Sequence, residues 1–551
     1  MCSLKQGKKK DRNAPSKSFL ASSAVFSFAV LMISVQIASG RETDLKRPIY
    51  DSKDEAKTFV SAPSTSRYIV SKPESLTTTT HVVGRKNRTL KSSKSKGKGK
   101  GSSKGSSKGK GGTYCGDTSR HFQFHKDCET LIDIHSTEGD SVADEFGEDV
   151  SISGDGKVVA VGASTIGEVK IYSDPTGNGS FSQVGPLPLP LPNTSQDSSF
   201  GFAIDLNYAG NIVAVCSPND TNSAGSTDSG TCQVFELSTL GSYIPLGQEL
   251  EGLFANDLFG YSVSLNVAGN ILAIGVPQTG GNNGYVNIYE WDTTTSSWSN
   301  TDVITGGALG DNFGFSVDLS DDGAVLAIGA PNADSGTGGG TDVGMAYVYE
   351  GPTPFALRAQ AVEGLVDNDY LGYSVSLNYS GKVLAAGAPG VVNADAGYVQ
   401  VYEYNSGTYS TLAGSIPSLS GTGAENFGTS VSLNYGGYTI VVGAPANDDA
   451  GTDAGKLYTY QYRKARVSWL SPSGPTYTGQ NAGDNLGKTV VMSDTGDRLI
   501  TGSQFYDGLA GTDSGSAVVL ECDCLTTPPP SKGKGSSKGS SKGSSKGKGI
   551  F

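Results

Sequence analysis

Few residues of this 551-residue chain have the types that usually carry catalysis. The four histidines are His81, His121, His125 and His135, so no imidazole can act as a general base between residues 136 and 551. No phosphate-binding loop or helical zinc-protease motif occurs. We expect that the protein is not an enzyme. A carboxylate-based glycosidase or lyase stays open as an alternative, because Asp and Glu are abundant.

One group of residues has the spacing of a metal site. Cys115, His121, His125 and Cys128 follow one another closely enough to suit zinc, and two histidines four apart can share a helical face. The simpler account is a pair of oxidised cysteines next to two surface histidines. We therefore expect no metal and no cofactor from this group.

Carboxylates recur at two positions of an internal repeat, in the loops before the first strand and after the second strand. We expect both sets of loops to emerge on one face, which would carry a strong negative potential. Such a face could dock cations or a basic partner, whereas the alternative is a solubilising, turn-forming surface. The candidate binding residues on this acidic face are Asp257, Asp311, Asp334, Asp342, Asp367, Asp369, Asp448, Asp449 and Asp453.

Seven copies of one pattern position these carboxylates. Each copy opens with Phe-Gly or Leu-Gly and reaches a Gly-Ala-Pro-like triplet 16 residues later. Alternation, an Asn-x-x-Gly-like reversal and an apolar run predict strand, turn and strand within that interval. A Gly-x-Val-x-x-Tyr strand and a weaker fourth strand follow, for example over 355–362. The copies open at Phe146, Phe200, Phe259, Phe313, Leu371, Phe427 and Leu486.

The spacing of the copies sets the fold class. A period of 54 to 59 residues predicts four-stranded antiparallel blades, and seven such blades close a ring. The protein is therefore predicted to be all-β, with a seven-bladed β-propeller over residues 113–525. The seventh copy lacks an outer strand, which residues 129–135 are expected to supply.

Cysteine usage indicates an oxidising compartment. If Cys2 is removed with a leader, six cysteines remain, and six allow 15 pairings. Cys216 and Cys232 flank one loop and are the natural local pair. Closure of the ring would place Cys128 beside Cys522 or Cys524, and Cys115 would pair with the cysteine that is left. Sequons occur at Asn87, Asn178, Asn193, Asn219 and Asn378.

These repeats resemble the FG-GAP family, the repeat of the integrin α-subunit head, in its shorter variant. Copy five, Leu371-Gly-Tyr-Ser-Val-Ser-Leu followed by Gly387-Ala-Pro, shows the pattern best. The resemblance implies a propeller and says little about function. Family members often carry Ca²⁺ in the first turn, but the turns here are shorter and lack the several carboxylates that Ca²⁺ needs. We therefore do not transfer the calcium sites and expect no cofactor, with Ca²⁺ binding left open as an alternative.

Charge divides the chain sharply. Residues 85–110 carry eleven Lys and Arg, and residues 531–551 carry six Lys, with no acidic residue in either segment. Residues 111–530 hold 12 Lys and Arg against 47 Asp and Glu, a net of −35. Nucleic acid is therefore not an expected partner. The low-complexity segments 41–112 and 526–551 are expected to be disordered, and their Lys-Ser repeats faintly resemble silaffin-type cell-wall proteins.

The first 40 residues read as a signal peptide or signal anchor, with a basic start followed by an apolar run. We therefore predict a secreted, cell-wall-associated or membrane-anchored glycoprotein that binds or adheres. An acidic propeller would be its platform, and the tails would bind polysaccharide, silica, a protein partner or the acidic face of another copy. A lectin-like propeller is the alternative. It requires aromatic residues clustered in loops, whereas Trp291, Trp298 and Trp469 fall near outer strands.

Overall fold

The computed structural model describes residues 128–185, 189, 199–277, 283–336, 340–390, 396–417, 425–463, 468–469 and 475–524. These residues form β-strands, turns and loops, and no helix occurs among them. Accordingly, no helix in the described ranges could span a membrane.

The strands fall into seven groups along the chain. The first strand is β1 (Cys128–Glu138). Blade 1 contains β2 (Val150–Ile152), β3 (Val158–Ala163), β4 (Glu168–Ser173) and β5 (Ser182–Gln183). Blade 2 contains β6 (Ala203–Leu206), β7 (Ile212–Ser217), β8 (Thr231–Leu237), β9 (Tyr243–Pro245) and β10 (Leu250–Glu251). Blade 3 contains β11 (Ser262–Leu265), β12 (Ile271–Val276), β13 (Tyr285–Asp292) and β14 (Ser297–Thr305).

The remaining strands repeat this arrangement. Blade 4 contains β15 (Ser316–Leu319), β16 (Val325–Ala330), β17 (Met345–Glu350), β18 (Ala356–Leu357) and β19 (Val362–Glu363). Blade 5 contains β20 (Ser374–Leu377), β21 (Val383–Ala388), β22 (Tyr398–Asn405) and β23 (Thr408–Pro417). Blade 6 contains β24 (Ser430–Leu433), β25 (Thr439–Ala444), β26 (Lys456–Arg463), β27 (Ser468–Trp469) and β28 (Thr476–Thr478). Blade 7 contains β29 (Val490–Met492), β30 (Arg498–Ser503) and β31 (Ser516–Cys524).

Every blade is an antiparallel sheet whose strands follow chain order from the centre outwards. Blade 7 completes its sheet with β1, so that the order is β1-β31-β30-β29. The register of that closing pair runs from Cys128 opposite Cys524 to Glu138 opposite Ser516. The innermost strand β29 in turn lies beside β2 of blade 1. The molecule is therefore a closed, seven-bladed propeller, as the repeat predicts.

The outer edges of three blades differ from the predicted single strand. In blade 4 the segment 355–362 forms two short strands, and β18 and β19 both pair with β17. The Arg358 N–H still donates to the Val348 carbonyl of β17 at 2.8 Å, and the chain leaves the ladder after it. The Arg358 guanidinium lies over the Tyr404 ring of blade 5 at 4.0 Å. Its Nη1 also donates to the Gly381 carbonyl at 2.8 Å. Blades 2 and 6 have similarly divided edges.

The core lies between neighbouring blades. The opening Phe or Leu of each repeat is at most 2 % exposed and packs among strands of adjacent blades. The second strands are almost wholly buried on both faces, which explains their continuous apolar runs.

Glycine is required where two blades approach most closely. A Cβ on Gly275 would lie 2.1 Å from the Gly314 carbonyl oxygen of the next blade, so no larger residue fits without a shift. Gly314 itself has a φ of 92°, in the region that favours glycine. The same contact recurs at five other seams, including the closing one between Gly502 and Gly147. Blade 2 has Cys216 at this position instead.

A polar zipper joins the innermost strands around the central axis. At one position of the first strand, a side-chain oxygen accepts a hydrogen bond from a backbone N–H of the next blade. Ser264 accepts from Leu319 at 3.1 Å, and Asp318 accepts from Leu377 at 2.6 Å. Ser151, Asp205, Ser376 and Ser432 do the same. Blade 7 has Val491 here, so the zipper is interrupted at the closing seam.

Candidate functional site

The loops before the first strand and after the second strand of each blade emerge on the same side of the ring, which we call the entry-loop face. Hydrogen bonds join the two loop sets across the seams. Between blades 4 and 5, the Leu371 N–H donates to the Val343 carbonyl at 3.1 Å. The Tyr370 N–H donates to the Asp342 carbonyl at 3.2 Å, and Asp342 has a φ of 50°. Asp342 therefore shapes this seam through its backbone.

Two of the predicted acidic-face residues are buried, which corrects the expectation that they lie on an exposed face. Asp257 is 2 % exposed and accepts hydrogen bonds from the Phe254 N–H and the Tyr285 hydroxyl. Asp369 is 4 % exposed and accepts from two backbone N–H groups and the Tyr398 hydroxyl. A buried carboxylate needs such partners. Each one therefore fixes the conformation of its own loop.

The same loop position is buried in other blades. Asp144, Glu425 and Asp484 are 2 to 4 % exposed. Asp144 and Asp484 accept from backbone N–H groups of their loops, and Glu425 accepts from the Tyr458 hydroxyl. At the equivalent Asp311, burial and the charge of Asp334 raise the carboxyl pKa.

The carboxylates that remain at the surface form two groups. The first lies between blades 4 and 5, where Asp334 and Asp367 are exposed. Asp334 accepts from the Asp342 N–H at 3.2 Å. A Cβ on Gly340, in the same loop as Asp334, would come within 3.0 Å of Asp367 Oδ1. We call Asp311, Asp334, Asp342 and Asp367 the blade 4–5 acidic group.

The second group belongs to blade 6. Asp448 and Asp449 are exposed. Asp448 accepts from the Asp453 N–H at 2.9 Å, and Asp453 has a φ of 54°. Asp449 forms an ion pair with Lys456. Part of the negative charge of this group is therefore neutralised locally.

Apolar side chains stand beside the acidic loops. Six of them are 56 to 73 % exposed: Val142 in the entry loop of blade 1, and Leu253, Phe254, Leu309, Leu365 and Val366 in the entry loops of the consecutive blades 3, 4 and 5. Large apolar residues at the surface of several adjacent loops are typical of interaction surfaces.

A cavity of about 350 Å³ opens on the central axis and is lined by the innermost strands of all seven blades. Aromatic rings from blades 2 to 5 form one wall of its mouth, each directly after a Phe-Gly or Leu-Gly pair. The ring centroids are separated by 5.1, 5.0 and 4.8 Å along the series Phe202, Tyr261, Phe315 and Tyr373. Burial and the neighbouring Tyr373 raise the pKa of Tyr261 to about 12, so its hydroxyl stays protonated.

The opposite wall of the mouth is polar. The same repeat position is Thr429 in blade 6, Lys488 in blade 7 and Glu148 in blade 1. Lys488 Nζ lies 3.8 Å from Glu148 Oε1 and also donates to Gln504, while Glu148 accepts from the Ser164 hydroxyl. The two charges in the mouth are thus held next to each other.

Three carboxyl groups lie deeper in the same cavity. Burial raises the pKa of Asp149 and Asp318 to about 8 and that of Asp205 to about 7, in spite of hydrogen bonds from backbone N–H groups. Asp149 accepts from the Ile204 N–H at 2.7 Å, and Asp205 accepts from the Leu265 N–H at 2.7 Å. These bonds join neighbouring blades, and the raised pKa values favour the protonated form of Asp149 and Asp318 at neutral pH.

The first turns lie on the opposite face of the ring. There, burial and the charges of Asp494 and Asp322 raise the pKa of Asp321 to about 7. Within the part of the chain that the structure describes, no group of three or more His, Cys, Asp or Glu side chains is arranged to hold a metal ion. The candidate zinc ligands Cys115, His121 and His125 lie outside the described residues, as does the side chain of Cys128.

Cys216 and Cys232 form a disulfide between the neighbouring strands β7 and β8. Cys522 is also disulfide-bonded. The backbone of Cys128 lies opposite that of Cys524, at the end of the closing strand pair.

The described sequons differ in access. Asn178 and Asn219 are exposed. Asn378 is 5 % exposed, and its amide oxygen accepts from the Lys382 and Val383 N–H groups, so the folded propeller does not present it for glycosylation. Asn87 and Asn193 lie outside the described residues.

The fold and the site define a class: a β-propeller with loops of varied composition on one face and a ligand-sized cavity on its axis. The family model for the FG-GAP repeat matches residues 299–349 and 420–460, which fall in blades 3 to 4 and in blade 6. The chain thus carries FG-GAP repeats in these two segments, and its seven-bladed fold is consistent with an FG-GAP repeat propeller. A search among curated proteins gives no match.

Proposed function

We propose that this protein is an extracellular binding and adhesion protein that docks a partner on its entry-loop face. An FG-GAP propeller is a binding platform, and FG-GAP repeats together with a disulfide are typical of extracellular proteins. The observation that carries the proposal is the combination of exposed apolar side chains in the entry loops of blades 3 to 5 with exposed carboxylates in loops of blades 4 and 5.

The chemistry of this face suits a partner with basic groups next to apolar ones. Leu365 and Val366 are 63 and 56 % exposed and precede Asp367 directly in the chain. Apolar contacts at such a surface would supply affinity, and the carboxylates would favour a partner of opposite charge. A basic protein and the Lys-rich segment of a second copy both meet this description. The Lys-rich segments would anchor the protein to anionic polysaccharide or silica.

Surface variants of the full-length chain test the docking face. We expect Asp334→Asn with Asp367→Asn to reduce capture on a poly-lysine-coated sensor, because two carboxylates facing the polymer are lost. The reduction should diminish at high salt, where these charges are screened. Leu365→Ser with Val366→Ser should weaken capture at all salt concentrations, because it removes apolar contact area.

The controls lie away from this face. Glu290→Gln, at an exposed position of β13, and Leu240→Ser, 92 % exposed in the turn between β8 and β9, should leave capture unchanged. None of these substitutions should change retention on silica or alginate, which we assign to the Lys-rich segments. Equal effects of control and face variants on poly-lysine capture would contradict the assigned face.

A further inference from the structure

We infer that the axial cavity on the entry-loop face is a binding site for a neutral sugar ring, such as the end of a polysaccharide chain. The inference rests on the proposed binding role of this face, but it concerns the axis rather than the acidic loops. Its residues, its ligand and its test are therefore separate from those of the docking surface.

The aromatic wall supplies the first argument. Tyr261, Phe315 and Tyr373 belong to none of the apolar clusters that hold the described blades together, in contrast to the nearby Phe259 and Phe313. They are half-buried and line the cavity. Their neighbours fix the aromatic rings in position, and part of each ring faces the cavity. Such a ring can pack against a flat apolar surface of a ligand. The C–H face of a pyranose ring is such a surface.

The polar wall supplies the second argument. A sugar has hydroxyls around its edge, and the far side of the mouth offers Thr429, Lys488 and Glu148 as hydrogen-bond partners. Lys488 and Glu148 are fixed by their ion pair and by Gln504 and Ser164, so little side-chain freedom is lost when a ligand binds. The cavity is therefore apolar on one side and polar on the other, as a sugar ring is.

The charges in the cavity argue for a neutral ligand. The ammonium of Lys488 is balanced by the carboxylate of Glu148 at 3.8 Å. The deeper carboxyl groups Asp149, Asp205 and Asp318 accept hydrogen bonds from the backbone of the next blade and have raised pKa values. An anion would meet little compensating charge, and a cation would have to displace protons from the deeper carboxyl groups. A neutral polyhydroxylated molecule has no such requirement.

The size of the cavity agrees with this ligand class. Its volume of about 350 Å³ is at the lower end of the range for small-molecule sites, and it opens towards the loops. The site therefore suits one or two sugar rings that enter from a chain end rather than the middle of a long polymer.

Titration of the full-length protein tests the inference. The probes are the neutral disaccharides cellobiose, maltose and lactose, with spermidine as a cationic probe, and the readouts are tyrosine fluorescence and saturation-transfer NMR. We expect saturable binding of at least one disaccharide, with transfer to its ring C–H protons, and no competition by spermidine. Absence of saturation for all three sugars, or binding of spermidine at the same site, would overturn the inference.

Variants locate the binding on the axis. Tyr261→Ala and Tyr373→Ala should each weaken disaccharide binding about tenfold, because each removes one aromatic contact surface. Tyr261→Phe keeps the ring and should bind nearly as well as the wild type. The matched control is Tyr435→Ala, at a tyrosine 41 % exposed on the opposite face, which should have no effect.

A variant that fills the cavity keeps the inference testable if the alanine variants fail to fold. Thr429→Trp places a large side chain in the mouth without removing a packed one, and it should abolish disaccharide binding while poly-lysine capture is retained. Disaccharide binding that survives Thr429→Trp would contradict an axial site. Loss of poly-lysine capture in the acidic-face variants with intact disaccharide binding would separate the two proposals.

Discussion

Carboxyl groups in this protein have different roles that depend on a few ångströms of position. Asp257 and Asp369 stabilise the loops in which they lie, and Asp334 and Asp367 face solvent. Asp318 instead lies on the central axis, where its side chain replaces the serine found at the same position in blades 3 and 5. The surrounding protein raises the pKa of this carboxyl to about 8, because burial disfavours its charged form.

The axial carboxyl groups predict a specific pH dependence of stability. In an unfolded chain an Asp carboxyl has a pKa of about 3.9, so between that pH and about pH 8 the folded protein binds more protons at Asp149 and Asp318. The contribution of these groups to the free energy of unfolding is therefore greatest below about pH 4 and falls as the pH rises to about 8. Urea denaturation at a series of pH values would measure it.

Asp318→Ser provides the matched comparison, because Ser376 makes the corresponding bond in blade 5 at 3.1 Å. We expect this variant to have a shallower decline of stability between pH 5 and pH 8. Ser376→Ala removes a zipper bond without a titrating group, and it should lower stability equally at all pH values. An unchanged slope in Asp318→Ser would mean that Asp318 does not titrate in this range.

Sequence reasoning identified the acidic loops but not which carboxylates reach solvent. The distinction depends on hydrogen bonds such as that from Tyr398 to Asp369, between residues 29 apart in the chain. The axial aromatic residues were missed, although a signal exists: Phe or Tyr directly follows the Phe-Gly or Leu-Gly pair in four copies. Its meaning becomes visible only when the ring brings those positions together.

Within each repeat, the opening Phe or Leu connects one blade to the next. Phe259 is fully buried and packs with strands of blades 2 and 3, near the Cys216–Cys232 disulfide. Phe254, five residues earlier in the same loop, is 64 % exposed. The two residues have the same side chain and the same loop but opposite environments.

This pair allows a controlled mutation. Phe259→Ala should lower the free energy of unfolding by about 3–5 kcal/mol, because it leaves a cavity between two blades. Phe254→Ala removes the same atoms from an exposed position. It should change the free energy of unfolding by only about 0.5 kcal/mol, as is typical of surface sites. Chemical denaturation of both variants measures the difference, and similar losses would contradict the assignment of Phe259 to the blade interface.

The strands of each blade were largely predictable from the sequence. Alternation of apolar and polar residues indicates an extended strand, and the constant 16-residue spacing fixes the length of the strand–turn–strand unit. The outer edges were less predictable. The segment 355–362 has the composition of one strand, but the structure divides it where Arg358 turns towards blade 5. Such tertiary contacts leave no local pattern in the sequence.

In the closed ring, one buried arginine joins the last blade to the first. Arg498 of blade 7 is 6 % exposed, and its guanidinium donates to the Gly156 and Gly177 carbonyls of blade 1 at 3.0 Å. It also forms ion pairs of 3.1 Å with Asp174 and Glu521. The bonds to Gly156, Gly177 and Asp174 join blade 7 to blade 1 at the seam where the axial zipper is interrupted.

Loss of this arginine should weaken ring closure. Arg498→Met leaves the buried Asp174 without its ion-pair partner and should cost about 3–5 kcal/mol. Lys157→Met, which breaks a partly exposed ion pair with Asp155, should cost about 1 kcal/mol or less. Thermal unfolding measures both effects. A comparable loss in the two variants would show that the seam does not depend on Arg498.

The position of β1 also determines how the protein would respond to mechanical force. Because β1 and β31 are antiparallel, the chain enters the ring at Cys128 and leaves it at Cys524, directly opposite each other. Tension applied between the two flanking segments would therefore act on this strand pair and on the disulfide of Cys522 within it, rather than stretch the six blades that lie between. If both Lys-rich segments are attached to a surface, the load-bearing part of the molecule is this pair of strands with the Cys522 disulfide, and the proposed docking face remains undistorted while that pair holds.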